Sequence, residues 1–322
     1  MNKLLKKIIT FAFLIFINMQ IFGQGGWDPN PFDVYWFTDM VHSLEWLNQH
    51  PWFEPPSSGS GGEKTHTLNL MTYNLWRGSA RWGEHKNVIN GSGAQVVALQ
   101  EMLGSNRFKR IKKKTHMNGS FLITDDCANW LFQDYGIALL WNDLITSPTI
   151  THRITSQSPY IIEVFTNYCV VCVHYPLTEA NQTFMSNTIL TDPVIVACQN
   201  NNRPIFIAGD FNCSPWANKE PIKAFTDVGY EVLNFMGTYE DPPNSGNYKW
   251  DHATKKNGTM IDLILEYSTK SNKTTLWKGI PSSFPSNWLG KCDCCECDLC
   301  PCHDHVSDHY PYLVKRRWRL NY

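Results

Sequence analysis

Apolar residues recur along this chain in short runs, and nearly every run ends on a polar or charged side chain. Leu68 to Trp76 alternates with a period of two and reads as a strand. Gln95 to Glu101, Tyr135 to Trp141 and Tyr160 to Phe165 are compact apolar runs of the kind that form buried strands. Tyr168 to Val173 is another, and His174 follows it directly. The clearest strand is Arg203 to Asp210, in which Ile205-Phe206-Ile207-Ala208 lead through Gly209 to an acid. Met260 to Leu265 reads as a buried strand with Asp262 inside it, and Tyr312-Leu313-Val314 as a final strand. Between these runs, Glu84 to Gly93 and Thr178 to Leu190 carry helical spacing. Asp192-Pro193 supplies an N-cap and first turn for a helix reaching Gln199. Strands and helices alternate, and the strands are too numerous for one parallel sheet. The pattern therefore predicts a two-layered β core flanked by helices.

The N-terminal sixty residues follow a different pattern. Residues 1–25 have the form of a secretory signal, with Lys3, Lys6 and Lys7 before an apolar stretch and small residues at Gly23 to Gly26. Asn18 and Gln20 interrupt the apolar run too early for a membrane-spanning helix, which needs about 20 residues. Residues 26–63 form an aromatic arm that ends in the flexible linker Ser57-Ser58-Gly59-Ser60-Gly61-Gly62. A short amphipathic helix is expected within the arm, over Asp33 to Asn48. The main domain is expected over 64–322.

Composition adds constraints. Removing the leader takes away three lysines and no acids, which moves the formal charge from −1 to −4 and excludes a surface that is basic overall. Eleven cysteines fit an oxidising compartment. Six Asn-x-Ser/Thr sequons, at Asn90, Asn118, Asn181, Asn212, Asn257 and Asn272, make glycosylation a further expectation of export. One dense basic run stands out, with Arg107, Lys109, Arg110, Lys112, Lys113 and Lys114. A phosphate-tracking surface and a solvated helix face both account for it.

The polar groups that the strands deliver are Asn74, Glu101, His174, Asp210, Asn212, Asp262, Asp308 and His309. An isolated charge beside an apolar run is costly without a partner, so eight such residues point to a shared site. Their sequence contexts are Thr-Tyr-Asn-Leu-Trp at 72–76, Leu-Gln-Glu at 99–101 and Val-His at 173–174. Gly-Asp-Phe-Asn at 209–212, Ile-Asp at 261–262 and Ser-Asp-His-Tyr-Pro at 307–311 complete the set. In type and order these motifs resemble the endonuclease/exonuclease/phosphatase superfamily, whose fold is deoxyribonuclease-I-like. The resemblance spans about residues 66–322 and implies a four-layer α/β sandwich, two packed, mostly antiparallel β-sheets flanked by helices.

It also implies a chemistry. Hydrolysis of an anionic phosphodiester needs its charge neutralised and a water activated. By resemblance, Glu101 is the principal Mg²⁺ ligand, assisted by Asn74 and Asp308, with Mn²⁺ or Ca²⁺ as other hard cations that suit oxygen ligands. Asp210 would orient or deprotonate the water, and Asn212 would fix it and bond a phosphate oxygen. His309 would lie nearest the phosphate, with Asp262 orienting it and favouring its protonated form. His174 would stabilise the pentacoordinate phosphorus or assist the leaving oxygen. The favoured reading is a secreted, monomeric deoxyribonuclease-I-like endonuclease with no obligate protein partner. A sphingomyelinase-like phospholipid phosphodiesterase and a non-catalytic binding module are the alternatives. The Trp-Cys-Asp-Arg signature of inositol-polyphosphate phosphatases is absent, with Thr259-Met260-Ile261 in its place.

Three cysteine features depart from the family pattern or stand beside it. Cys213 directly follows Asn212. Cys169 and Cys172, three apart on a strand, should face opposite sides and so not share a metal. Between Asp262 and Ser307 lies a Cys-rich insert over 292–305, with six cysteines and two histidines. Zinc binding and a knot of local disulfides both fit it, and the leader favours disulfides.

Overall fold

A computed structural model describes residues 64–75, 82–124, 135–142, 145, 147–154, 159–213, 220–234, 260–269, 273–281, 283 and 309–320. The leader, the aromatic arm, Asp308 and the Cys-rich insert lie outside the described residues. Twelve strands and five helices are described. Sheet one contains β1 (Lys64–Asn74), β2 (Val96–Leu103), β3 (Met117–Thr124), β4 (Tyr135–Asn142), β11 (Thr274–Gly279) and β12 (Tyr312–Leu320), in the order β11-β12-β1-β2-β4-β3. Sheet two contains β5 (Ile150–Ile154), β6 (Tyr160–Val164), β7 (Cys169–His174), β8 (Ile205–Asp210), β9 (Tyr230–Val232) and β10 (Asp262–Tyr267), in the order β5-β6-β7-β8-β10-β9. Each sheet is mixed, antiparallel except for one parallel pair, β1 with β2 and β7 with β8.

Three apolar layers result from the two-residue period of the strands. Leu68, Leu70, Val96 and Ala98 of sheet one pack against Val170, Cys172, Phe206, Ala208 and Ile264 of sheet two. The alternate residues face outward. Met71, Tyr73, Val97 and Leu99 are covered by α1 (Trp82–Ser92) and α2 (Gly104–Thr115). Val171, Val173, Ile205, Ile207, Leu263 and Leu265 are covered by α3 (Glu179–Thr191), α4 (Pro193–Asn200) and α5 (Glu220–Asp227). The four-layer sandwich expected from the sequence is thus the fold. Asp192 caps α4 as expected, its carboxylate accepting from the Val194 amide at 2.8 Å, with Pro193 in the first turn. Cys169 and Cys172 are buried thiols in different layers, as their spacing requires.

Two details differ from the sequence reading. Asp262 opens β10 and is not inside it, because it pairs across from Asp210 where the ladder begins. Tyr312 to Val314 is only the start of β12, which continues through the basic residues to Leu320. Val314, Arg316 and Trp318 point inward, while Lys315 and Arg317 point out.

Arg316 closes the end of the sandwich away from the strand termini named above. Its guanidinium reaches the Glu266 carboxylate through Nε at 2.7 Å and Nη2 at 2.6 Å, both groups being buried. It also bonds Thr275 and, at 3.2 Å, Glu231, which Lys273 reaches at 3.0 Å. Burial raises the Glu266 carboxyl above its usual range and Arg316 pulls it only part of the way back. Burying this pair therefore carries a net desolvation cost, and losing one partner costs more. Arg316→Ala is expected to lower unfolding free energy by about 3–5 kcal/mol in urea titrations. On the helix side of sheet one, His85 is buried against the Tyr73 hydroxyl at 3.0 Å. Burial, then the Arg107 charge, pushes its imidazole down to about 3. Folded His85 stays neutral while the unfolded chain takes up a proton below its ordinary value of about 6.5. Stability is therefore lost as pH falls from that value toward 3. Urea midpoints of a His85→Gln variant should fall less steeply over this window than those of the native chain.

Candidate active site

The inward positions at one end of the inter-sheet layer are polar. On β1 the inward series Leu68, Leu70, Thr72 ends at Asn74, and on β2 Val96, Ala98 ends at Gln100, which pairs with Asn74. On β7 and β8 the series end at His174 and Asp210, paired with each other, and Asp262 of β10 pairs with Asp210 from the other side. Side-chain period and register alone thus place four of the expected residues, Asn74, His174, Asp210 and Asp262, at one end of the gap between the sheets.

Glu101 needs an extra device. By alternation, a residue next to inward-facing Gln100 would point out toward the helices. A bulge lies between Leu99 and Met102, opposite Ala138 and Gly136, and Glu101 has a left-handed backbone with φ of 53°. The bulge re-aims Glu101 toward the site, where its Oε1 accepts from Asn74 Nδ2 at 3.1 Å. Gln100 remains inward, accepting from Thr72 Oγ1 at 3.2 Å and donating to Cys172 Sγ at 3.6 Å across the sheet gap. Burial pushes the Cys172 thiol up to about 12, so it stays a donor, here to the Leu99 carbonyl.

Asp210 is the centre of the cluster. Its Oδ2 accepts from Asn74 Nδ2 at 3.0 Å and lies 3.8 Å from His309 Nε2 and 4.0 Å from His174 Nε2. Its Oδ1 accepts from the Asn212 backbone amide at 2.7 Å in an Asx turn, and Asn212 takes the left-handed conformation with φ of 48°. Gly209, just before it, allows β7 and β8 to approach. A Cβ there would sit 2.0 Å from the Val173 carbonyl oxygen.

His309 is buried, and its Nδ1 is 2.7 Å from Asp262 Oδ2. A carboxylate can only accept, so Nδ1 carries the proton and Nε2 faces Asp210. Asp262 is itself held by Asn234, whose Nδ2 donates to the Asp262 carbonyl at 2.9 Å and whose Oδ1 accepts from the Ile264 amide at 2.7 Å. Tyr312 donates to the Asn234 carbonyl at 3.1 Å, which ties β12 and so His309 to the same frame.

Seven of the eight expected residues are therefore assembled at one end of the sandwich, and Asp308 lies outside the described residues. Asn212 differs in detail from expectation. Its Nδ2 donates to the Tyr175 carbonyl at 2.7 Å, and Gln182 bonds the Asn212 carbonyl at 3.2 Å. A glycan on that nitrogen would disrupt the first contact, whereas Asn90, Asn118 and Asn181 are exposed. Sequence reasoning missed Asn234 and Gln182. Both are buried polar residues whose partners are backbone groups, so no motif of side chains marks them.

Three carboxylates, from Glu101, Asp210 and Asp262, meet here, two of them on the single Asn74 nitrogen. Such a donor set suits a hard cation, which would relieve the like-charge repulsion. Asp210, Asp262 and His309 also present ligand atoms within 4.8 Å of one another. Within that trio His309 Nδ1 is already engaged with Asp262 at 2.7 Å, so a metal could take His309 only through Nε2, which faces Asp210 at 3.8 Å. Glu101 and Asn74 carry oxygen ligands of the kind a hard cation takes, and neither takes part in the His309–Asp262 bond.

Two stacked mixed sheets flanked by helices, with acids, amides and imidazoles at one end of the gap, make up the deoxyribonuclease-I-like fold. The chain belongs to the Endonuclease/Exonuclease/phosphatase family, whose model matches residues 71–309. Among solved structures it is similar to the human Nocturnin catalytic domain with bound sulfate, with a TM-score of 0.57 and 14% identity over 79% of this chain and 97% of that one. It is also similar to a family protein from Bacteroides vulgatus, with a TM-score of 0.53 and 14% identity over 78% and 98%. ANGEL2, a 2′,3′-cyclic phosphatase, aligns with a TM-score of 0.52 and 14% identity over 81% and 99%. At this identity the structural likeness defines the fold. No curated protein matches the chain by sequence. Family members hydrolyse phosphodiesters or phosphate esters and are generally divalent-metal-dependent.

Replacing Asp262 with Asn should free the His309 tautomer. In ¹⁵N spectra the native chain is expected to show Nδ1 protonated and the variant to show a population with Nε2 protonated. Hydrolysis should fall by roughly 10³–10⁴-fold. An unchanged tautomer would show that Asp262 does not set it.

Proposed function

We propose that the protein is an exported, divalent-metal-dependent phosphodiester hydrolase acting on nucleic acid, in the manner of a deoxyribonuclease-I-like endonuclease. The observation that carries the hydrolytic reading is the convergence of Asn74, His174 and His309 on one oxygen of Asp210. A base held this way can orient a water and take its proton as the water attacks phosphorus. The Asn74 amide keeps the carboxylate aimed. His309 and His174 present Nε2 atoms on the same side, placed to donate to a phosphate oxygen or to the departing oxygen. Asp262 holds the His309 ring by its other nitrogen. Glu101 and Asn74, with Asp308 as the further expected ligand, would hold Mg²⁺, or Mn²⁺ or Ca²⁺ in its place. The ion when bound supplies neutralisation of the phosphate charge. Export is supported by the leader at residues 1–25.

One observation favours a phospholipid substrate as the second reading. Leu177, three residues beyond His174, is 83% exposed, and Phe184 on α3 is 53% exposed. An exposed apolar side chain so near His174 in the chain suits a substrate with an acyl portion.

Purified protein is expected to hydrolyse a chromogenic bis-phosphodiester with Mg²⁺ and to stop in excess chelator, with recovery when Mg²⁺ is restored. Glu101→Gln should lower kcat by roughly 10²–10³-fold with the circular dichroism spectrum unchanged. Full activity of this variant would refute the assignment. Plasmid DNA and sphingomyelin vesicles assayed side by side distinguish the two substrates.

A further inference from the structure

We propose that α2, together with the cleft at its far end, is a docking track for the nucleic-acid strand that the active site cuts; this rests on the hydrolytic reading above. The helix carries Arg107, Lys109, Arg110, Lys112, Lys113 and Lys114 and no acid. Phe108, Ile111 and Thr115 are buried against sheet one, and the Phe108 ring stacks on Phe121 at 5.2 Å. Ser105, Asn106, Lys109, Arg110, Lys113 and Lys114 are therefore left facing solvent.

A merely solvated helix does not account for this composition. An ordinary exposed face mixes signs at i, i+4, whereas here Lys109 faces Lys113, a pair that repels. The helix dipole favours the three lysines of the last turn. It disfavours Arg107 in the first turn, where no acid stands and Leu103 provides no side-chain cap. The helix carries its six cations with no acid of its own. A chain of net charge −1 has concentrated them on one face.

Position gives the charges their use. Gly104 starts the helix three residues after Glu101, so the track begins beside the site. Its twelve residues rise about 18 Å, about five phosphate spacings of a B-form strand. Near its C-terminus lies a cleft of about 590 Å³ whose lining includes Thr115, Lys315 and Arg317. Lys315 and Arg317 are exposed and form no ion pair among the described residues. The cations of α2 and the outward face of β12 thus share one side of sheet one. The exposed face of α2 offers no apolar side chain for insertion into a bilayer, which favours a polynucleotide over a lipid surface.

The test is a triple variant, Lys109→Gln, Lys113→Gln and Lys114→Gln, in the full chain. KM for a 30-nucleotide single strand should rise at least about tenfold at low salt, and the slope of log KM against log salt should fall by about 2. Hydrolysis of the bis-phosphodiester should stay unchanged. An unaltered KM and slope for the strand would overturn the proposal. So would an equal loss on both substrates, or a defect confined to binding of phosphatidylserine vesicles. If the native chain cleaves neither substrate, the hydrolytic reading fails. Fluorescence anisotropy of the labelled strand, with native and triple-variant protein, then decides the docking track separately.

Discussion

Desolvation governs both ends of this sandwich. β10 carries two inward acids, Asp262 and Glu266, four residues apart and both fully buried between the sheets. A buried carboxylate must be paired, and the two are paired differently. Glu266 meets Arg316, a permanent cation, in a contact that closes one end of the fold. Asp262 meets His309, whose charge changes with its proton, and beyond it the Asp210 carboxylate. One strand thus carries a fixed neutralisation at one end and an adjustable one at the other. The adjustable end is where a reaction can alter charge without unfolding the layer between.

The path from the apolar layer to the site is short. The residues that pack the sheets together, such as Ala208, Cys172 and Ile264, are each two positions from a site residue on the same strand. The site is therefore as rigid as the core on which it stands. The bulge at Glu101 re-aims one acid, and Gly209 leaves the space in which β7 and β8 approach beside another. A side chain at Gly209 would press on the β7 backbone and separate His174 from Asp210.

Much of this was legible in the sequence because strand ends announce themselves. Apolar runs that stop at Asn74, Asp210 or His174 fix which residue emerges from the core, and a two-residue period fixes its face. The Gln100–Glu101 pair was legible as a motif but not as geometry, since alternation alone sends the two side chains to opposite faces. Strands β3, β5, β9 and β11 were not anticipated. β11 is largely exposed and carries Thr274, Thr275 and Lys278 among few apolar residues, so it lacks a run to recognise. Arg316 was unreadable for another reason: within Lys315-Arg316-Arg317 nothing local distinguishes the inward residue from its neighbours. Only the register with Leu68 and Thr275 does so.

The same register shows why charge on β12 and α2 must be read by face and not by count. Arg316 spends its charge internally on Glu266 and Glu231, and adds nothing to the outer surface. Lys315 and Arg317, one residue to either side, point to the helix-covered face of sheet one, where α2 contributes its own cations. A net charge near zero therefore conceals local separation among the described residues, with Asp210, Asp262 and Glu266 buried in the gap between the sheets and the cations of α2 and β12 on one outer face. Toward the anionic polymer of the proposed function, the outer cations would provide attraction at a distance, while the acids at the candidate site would repel it unless a metal ion neutralised them. On the proposed function, binding and cleavage are separable demands met by different surfaces, and a cation held at Glu101 would serve the second and not the first.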